Sequence, residues 1–300
     1  MSELSFIKNI RKQLSQNSQV ILGPGDDCAV LPKRHSEQLV TTDTLMDGSH
    51  FLCKEHDPEL IGRKALAVSL SDIASMGGVP EVAFVSLCMP KSSLAEGFCE
   101  SVMTGIIKLA NDYEVAIGGG DSNSWNGPLV VSITLTGRPH SKGIIYRSGA
   151  KKDDVIVVSG PLGGSIEGHH LTFTPRVSLV KQLQEVTSPN AMIDVSDGIG
   201  SDLRHICRES NVSATLCSRD IPIRDNIKNL PTEEAVNRAL SDGEDFELCF
   251  TLSAEAWETL QTSSLKEQFV KIGTINSKSD HELYWDDGSV IEQKGFEHKF

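Results

Sequence analysis

Basic residues are scarce in this chain: 28 Lys and Arg stand against 41 Asp and Glu, a net charge of −13 over 300 residues. A nucleic-acid binder needs a basic face to displace counterions, and this balance argues against one. Solubility alone would also account for the excess acid. Long apolar runs are missing too. The N-terminal stretch MSELSFIKNIRKQL carries charges throughout, unlike a signal peptide, and no stretch approaches the length of a membrane span. The seven cysteines (28, 53, 88, 99, 207, 217 and 249) include no CxxC pair. Odd in number and mostly within apolar runs, they read as reduced thiols in or near a core, so a cytoplasmic protein is expected.

Several chemical signatures are absent as well. There is no GxxxxGKS/T loop, no HRD or DFG set and no EF-hand loop. IGGGDS and GPLGGS are glycine-rich but do not fit GxGxxG, so any nucleotide is held by other means. Zinc-type Cys/His spacing is lacking, and His169–His170 reads as a surface or packing feature.

What remains is a soluble globular composition, 39% hydrophobic and 23% charged, long enough for one large domain or two ordinary ones. Apolar spacing predicts a short amphipathic helix at 4–14, a strand at 38–45 running into Asp43, and a helix from Pro58 closed by Gly77–Gly78. EVAFVSLCMP reads as a strand, 93–112 as a helix, EVAIGGGD as a short strand entering a glycine turn, and PLVVSITLTG as a strand. Residues 138–153 turn basic and polar and mark a domain junction. Beyond it come strand DVIVVSG, the turn PLGGS, a helix near 176–186, strand AMIDVS and helix GIGSDLRHICRES. Strand SATLCS, helix EEAVNRAL, strand DFELCFTL, a helix near 254–268 and two closing strands complete the chain. The expected fold is α/β (α+β): residues 1–138 and 139–300 form two halves, each a mixed sheet with helices packed on it.

The chemistry concentrates where aspartates stand beside glycines: GPGDDCAV, TTDTLMDGSHF, SDIASMGG, IGGGDS, DVSDG and SDGEDFEL. Carboxylates in tight turns are poor core material unless paired. Several of them converging would make an oxygen cage for a hard cation such as Mg²⁺. Asp43 lies between Thr42 and Thr44, a carboxylate among hydroxyls. Asp72 sits near the C-terminal end of its helix, where the dipole disfavours an anion and an offsetting cation is implied. Asp26–Asp27, Asp121, and Asp194 with Asp197 around Ser196 complete the set, though each alone also reads as an ordinary turn residue.

GDDCAV, TDTLMDGSHF, KALAVSLSDIASMGG, IGGGDS, YRSGA, DVSDG and GEDFEL, in this order and at this spacing, resemble thiamine-monophosphate kinases of the aminoimidazole ribonucleotide synthetase-like superfamily. The resemblance runs from about Gly23 to the C-terminal GFEH. It implies ATP- and Mg²⁺-dependent phosphorylation of thiamine monophosphate to the diphosphate. It also implies a homodimer whose N-terminal sheets pair into a barrel. By position, Asp27, Thr42, Asp43, Thr44, Asp72, Asp121, Asp194 and Asp197 would hold several Mg²⁺ ions. Tyr113, Gly120, Asp121, Arg147 and Ser196 would contact ATP, and His50, Glu244 and Phe296 the thiamine phosphate. Asp43, Asp72, Asp121 and Arg147 would carry the catalysis, with Asp26 and Asp245 as supporting neighbours.

A carboxylate and an aromatic face suit a cationic thiazolium. No general base is evident, and none is needed when the nucleophile is a phosphate monoester with a second pKa of about 6. The difficulty is the approach of two polyanions, which metal ions and Arg147 would relieve. One departure is visible: between GPLGGS and Thr174-Pro175-Arg176 only IEGHHLTF remains of a stretch that is longer in typical members. Rival readings are a superfamily enzyme acting on another acceptor, a non-catalytic cation binder, and a metal-dependent phosphohydrolase. The last would normally bring His ligands, which these turns lack.

Overall fold

The computed structural model describes residues 12–14, 18–21, 31–32, 37–91, 94–293 and 295–296. Asp26, Asp27 and most of the helix expected at 4–14 lie outside them. Two compact units emerge, one of Met1–Ile73 with Gly78–Pro139, the other of Ala74–Gly77 with His140–Phe300.

In the first unit β1 (Leu39–Met46), rich in β-branched residues, leads to α1 (Pro58–Ser75). Asp57 starts that helix by accepting the Glu59 N–H at 2.8 Å, and Pro58 fills a position needing no donor. Gly77, at φ 69°, ends it. β2 (Gly78–Pro90), α2 (Phe98–Asp112), β3 (Ala116–Trp125) and β4 (Val130–Pro139) follow. The sheet order is β1-β4-β2-β3, antiparallel except for the parallel β2/β3 pair. Alternation buries Leu39 and Leu45, and one face of the sheet is packed on α1. The opposite face exposes Val40 and Met46.

IGGGDS differs from its expected form. Its glycines sit inside β3, with Gly119 and Gly120 opposite Phe84 and Val85. A β-carbon on Gly120 would come within 1.8 Å of the Val85 carbonyl oxygen, so glycine here serves close strand approach.

The second unit is built on a six-stranded mixed sheet, order β10-β7-β9-β5-β8-β6. Its strands are β5 (Val155–Val158), β6 (Ala191–Asp194), β7 (Val212–Leu216), β8 (Leu248–Leu252), β9 (Val270–Ser277) and β10 (Leu283–Trp285). The helices are α3 (His169–Thr172), α4 (Val177–Val186), α5 (Ile199–Glu209), α6 (Thr232–Ser241) and α7 (Ala254–Gln261). β5 is buried on both faces, as its unbroken VIVV run requires. Ile156 and Val158 join Ile199, Leu203 and Leu240 on one side; Val155 and Val157 join Leu179, Leu183 and Leu260 on the other. The strand expected at DFELCFTL begins only at Leu248, and the helix expected to reach 268 stops at Gln261, followed by a 3₁₀ turn at Lys266–Gln268. Among the described residues no helix is long and apolar enough to cross a membrane.

Candidate active site

β1 presents its polar residues to two different faces. The Asp43 carboxylate turns toward α1, where Ser69 Oγ donates to Oδ2 at 2.6 Å. Thr41, two residues earlier on the same face, donates to Asp72 Oδ2. Burial and the neighbouring Asp72 charge push Asp43 up to about 6, against which the Ser69 hydrogen bond works. Two acidic side chains crowded at a helix–strand contact are what a cation would relieve.

Thr42 and Thr44 point the other way. Their hydroxyls meet Thr134 Oγ1 at 3.1 Å and Ser132 Oγ at 2.9 Å. The period of two therefore separates their hydroxyls from the Asp43 carboxylate, and the three side chains do not form one cage. Asp121 is exposed and shares a register row with Thr44, Ser132 and Ser86, whereas Gly120 shares the row of Asp43.

His50 closes the turn after β1. Its Nδ1 accepts the Met46 N–H at 3.1 Å, so in the neutral ring the proton resides on Nε2, a donor. The fully buried Lys64 donates to the His50 carbonyl at 2.6 Å and fixes the turn. Tyr113 ends α2, its N–H on the Leu109 carbonyl at 3.2 Å, and Arg63 lies within electrostatic reach of it.

In the second unit four of the expected residues converge. β6 ends at the buried Asp194, and the chain continues through Ser196 and Asp197 into α5. Glu244 N–H donates to the Ser196 carbonyl at 2.7 Å, and Phe296 N–H to the Asp197 carbonyl at 2.9 Å. Phe296 exposes 57% of its surface. Arg147, exposed, accepts a bond from Ser210 Oγ at its carbonyl (3.3 Å), and its charge acts on Asp202 and His205.

Sequence reading missed two residues here. Asp202, buried in the first turn of α5, accepts the Asp197 N–H at 3.1 Å. Burial, then Asp194 and Asp197, push its carboxyl well above the usual range. Its signal was the Asp five residues past Asp197, placed to reach back over a helix start. Arg204 is buried, and its guanidinium donates to the carbonyls of Gly200, Ile291 and Gln293, the last at 2.8 Å. It thereby ties the segment leading to Phe296 onto α5.

Asp245 is fully buried and bonded to Arg224 at 2.9 Å, a structural neighbour of Glu244. His170 Nδ1 lies 3.1 Å from the Ser165 carbonyl and His169 packs near Phe173, so the pair serves packing. Among the described residues no three Asp, Glu, His or Cys side chains converge closely enough to hold a metal unaided. Mg²⁺ is commonly held by one or two carboxylates, with water and substrate phosphates completing its shell. The oxygen-only donor sets around Asp43–Asp72 and Asp194–Asp197 fit that pattern.

Residues 25–138 match the model of the AIR synthase related protein, N-terminal domain. Thiamine-monophosphate kinase of Rhodopirellula baltica is 36% identical over 91% of this chain and 89% of its own. The crystal structure of the kinase from Stenotrophomonas maltophilia superposes with a TM-score of 0.83 at 33% identity, covering 97% of this chain and 98% of that one. The structure of AaThiL complexed with AMPPCP and TMP superposes with a TM-score of 0.77 at 28% identity, over 99% and 97% of the two chains. Likeness of this degree over nearly the full length, in sequence and in fold alike, makes this chain a member of the thiamine-monophosphate kinase family.

Proposed function

We infer that the protein transfers the γ-phosphoryl group of ATP to thiamine monophosphate, giving thiamine diphosphate. Family membership supports the reaction, and the AaThiL complex with AMPPCP and TMP supports the two substrates. On this chain, the observation that carries the reading is the convergence of Ser196, Asp197, Glu244 and Phe296 through two backbone hydrogen bonds. The bonded segments carry a hydroxyl and a carboxylate suited to a metal–nucleotide complex and a carboxylate and an aromatic ring suited to a thiazolium.

The acceptor oxygen belongs to a phosphate that is largely dianionic at pH 7, its second pKa being about 6, so no side chain must remove a proton. The residues have instead to bring two anions together and hold them in line. His50 offers its Nε2–H to the acceptor phosphate, while Glu244 and Phe296 hold the cationic ring. Tyr113, Gly120 and Ser196 contact ATP, and Arg147 adds a fixed positive charge. Asp27, Thr42, Asp43, Thr44, Asp72, Asp121, Asp194 and Asp197 form the donor set for Mg²⁺. Since Asp43 and the Thr42/Thr44 hydroxyls face opposite sides of β1, a given ion takes its side-chain ligands from one side only. Bound Mg²⁺ would neutralise the phosphate oxygens as charge shifts during transfer.

The reading extends to a division of labour. Residues 1–138 would bind nucleotide and metal and form a homodimer through the open sheet face with Val40 and Met46; residues 139–300 would complete the site. Six free cysteines among the described residues support a reducing, cytoplasmic setting.

The test is formation of thiamine diphosphate from the monophosphate by purified protein with ATP and Mg²⁺, with EDTA and free-thiamine controls. Metal-dependent product from the monophosphate alone is expected. ATP binding with no product from it would move the search to another acceptor.

A further inference from the structure

The three residues after Glu244 are each held by a different partner. Asp245, fully buried, accepts the Gly163 N–H at 3.0 Å and the Arg224 guanidinium at 2.9 Å. Phe246 stacks on Phe173, ring centroids 4.3 Å apart and planes 17° from parallel. Glu247, 1% exposed, is gripped by Arg176 through two bonds, Nε to Oε2 at 2.8 Å and Nη2 to Oε1, and accepts Ser159 Oγ at 2.6 Å.

The backbone between these anchors is strained. Glu244 has φ 53° and Phe246 φ 50°, in the left-handed region that side chains, aromatic ones above all, rarely adopt. Such a conformation persists only where its surroundings over-determine it, and such strain gathers at functional turns. Asp245, Phe246 and Glu247 provide that over-determination, and half-buried Glu244 stands at the head of the turn.

Of the anchors, Phe173 closes the IEGHHLTF stretch noted above, and Arg176 lies in the Thr174-Pro175-Arg176 segment that follows it. A well-packed apolar pair could replace a buried Arg–Glu pair with little loss of stability. A bidentate fork, however, fixes orientation as an apolar contact does not.

We propose that Phe173 and Arg176 are positioning residues for the acceptor. Acting through Phe246 and Glu247, they hold the left-handed 244–246 turn in the orientation that lets Glu244 meet the cationic ring. This rests on the reading of Glu244 given above. The 173–176 segment thus has a role in acceptor affinity although it touches no reacting atom.

The experiment compares Phe173→Leu, the double replacement Arg176→Met with Glu247→Gln, and Glu244→Gln, each alone and with Glu244→Gln added to the first two. The double replacement avoids leaving a buried carboxylate alone, and Phe173→Leu disturbs no charge. Michaelis constants for thiamine monophosphate and ATP are measured beside the melting temperature. The expected result is a rise of about tenfold in the acceptor constant for both variants, with the ATP constant within about twofold, since small displacements at a positioned group act on its own ligand. On the Glu244→Gln background neither change should raise the acceptor constant further. A raised acceptor constant in Glu244→Gln beside unchanged constants in the other two, whatever their melting temperatures, overturns the proposal alone. An unchanged constant in Glu244→Gln removes the acceptor reading and the proposal with it.

Discussion

The backbone N–H of Phe296 donates to the carbonyl oxygen of Asp197 at 2.9 Å, so the C-terminal GF segment is bonded directly to the turn that follows β6. An exposed aromatic residue is thereby held on the turn that carries a candidate metal-binding carboxylate. Replacing Phe296 by Ala keeps the backbone bond and removes the aromatic face. The acceptor Michaelis constant should rise roughly five- to thirtyfold, the worth of a cation–π contact of about 1–2 kcal/mol, with the ATP constant little changed. Steady-state kinetics with each substrate varied would check this, and an effect confined to ATP would count against the assignment.

Gly295 makes that close approach possible. A β-carbon there would come within 1.8 Å of the Asp197 carbonyl oxygen. Gly295→Ala should therefore displace Phe296 and weaken acceptor binding at least as much as Phe296→Ala does. The core should be unaffected, because the clash lies on the turn; circular dichroism and acceptor titration together test both halves.

Asp43 is held near 6, well above its ordinary value, by burial and by Asp72. At neutral pH its ionised form therefore opposes folding, by about 1–2 kcal/mol after allowance for partial exposure. Asp43→Asn should raise the melting temperature of metal-free protein by roughly 2–4 °C. The same change should cut turnover by at least about a hundredfold and shrink the stabilisation conferred by Mg²⁺. Near-normal turnover in this variant would remove Asp43 from the metal set.

His169 is pushed down to about 4, chiefly by burial and next by Arg224. Between pH 4 and 6.5 the unfolded chain binds a proton at this ring that the folded chain does not. Its contribution to stability is present above about 6.5 and lost as pH falls toward 4. Asp43 and Asp245, both raised to about 6, act in the opposite sense from about pH 4 to 6. The useful readout is the difference in unfolding free energy between wild type and His169→Asn, followed from pH 7 to 4. That difference should shrink as the medium becomes acid; a flat difference would mean His169 titrates normally.

Val40 is 63% exposed on the open face of the first sheet. If that face joins two copies, Val40→Asp should shift sedimentation from dimer toward monomer, since an unpaired charge in an apolar interface is strongly unfavourable. A monomeric wild type would end the dimer proposal.

Much of this molecule was legible from its residues. Strand and helix positions followed from periodicity and from punctuation by Pro58 and Gly77, because those signals act within a few residues. The mixed sheets followed from strands lacking intervening helices. The period of two in VTTDTL already put Thr42 and Thr44 opposite Asp43, a consequence legible in the sequence but masked by their adjacency. The glycines of IGGGDS misled because glycine marks both turns and close strand contact, and only the neighbouring β2 backbone decides between them.

The partners of three arginines were beyond local reading. Arg204 reaches Ile291 and Gln293, Arg176 reaches Glu247, and Arg224 reaches Asp245, all far along the chain. Sequence by itself determined which groups could bind metal, nucleotide and a cationic acceptor, because chemical capacity belongs to the side chain. Tertiary structure alone decided which of them meet. Convergence depends on where distant segments return, and that is set by packing and hydrogen-bond satisfaction over the whole unit.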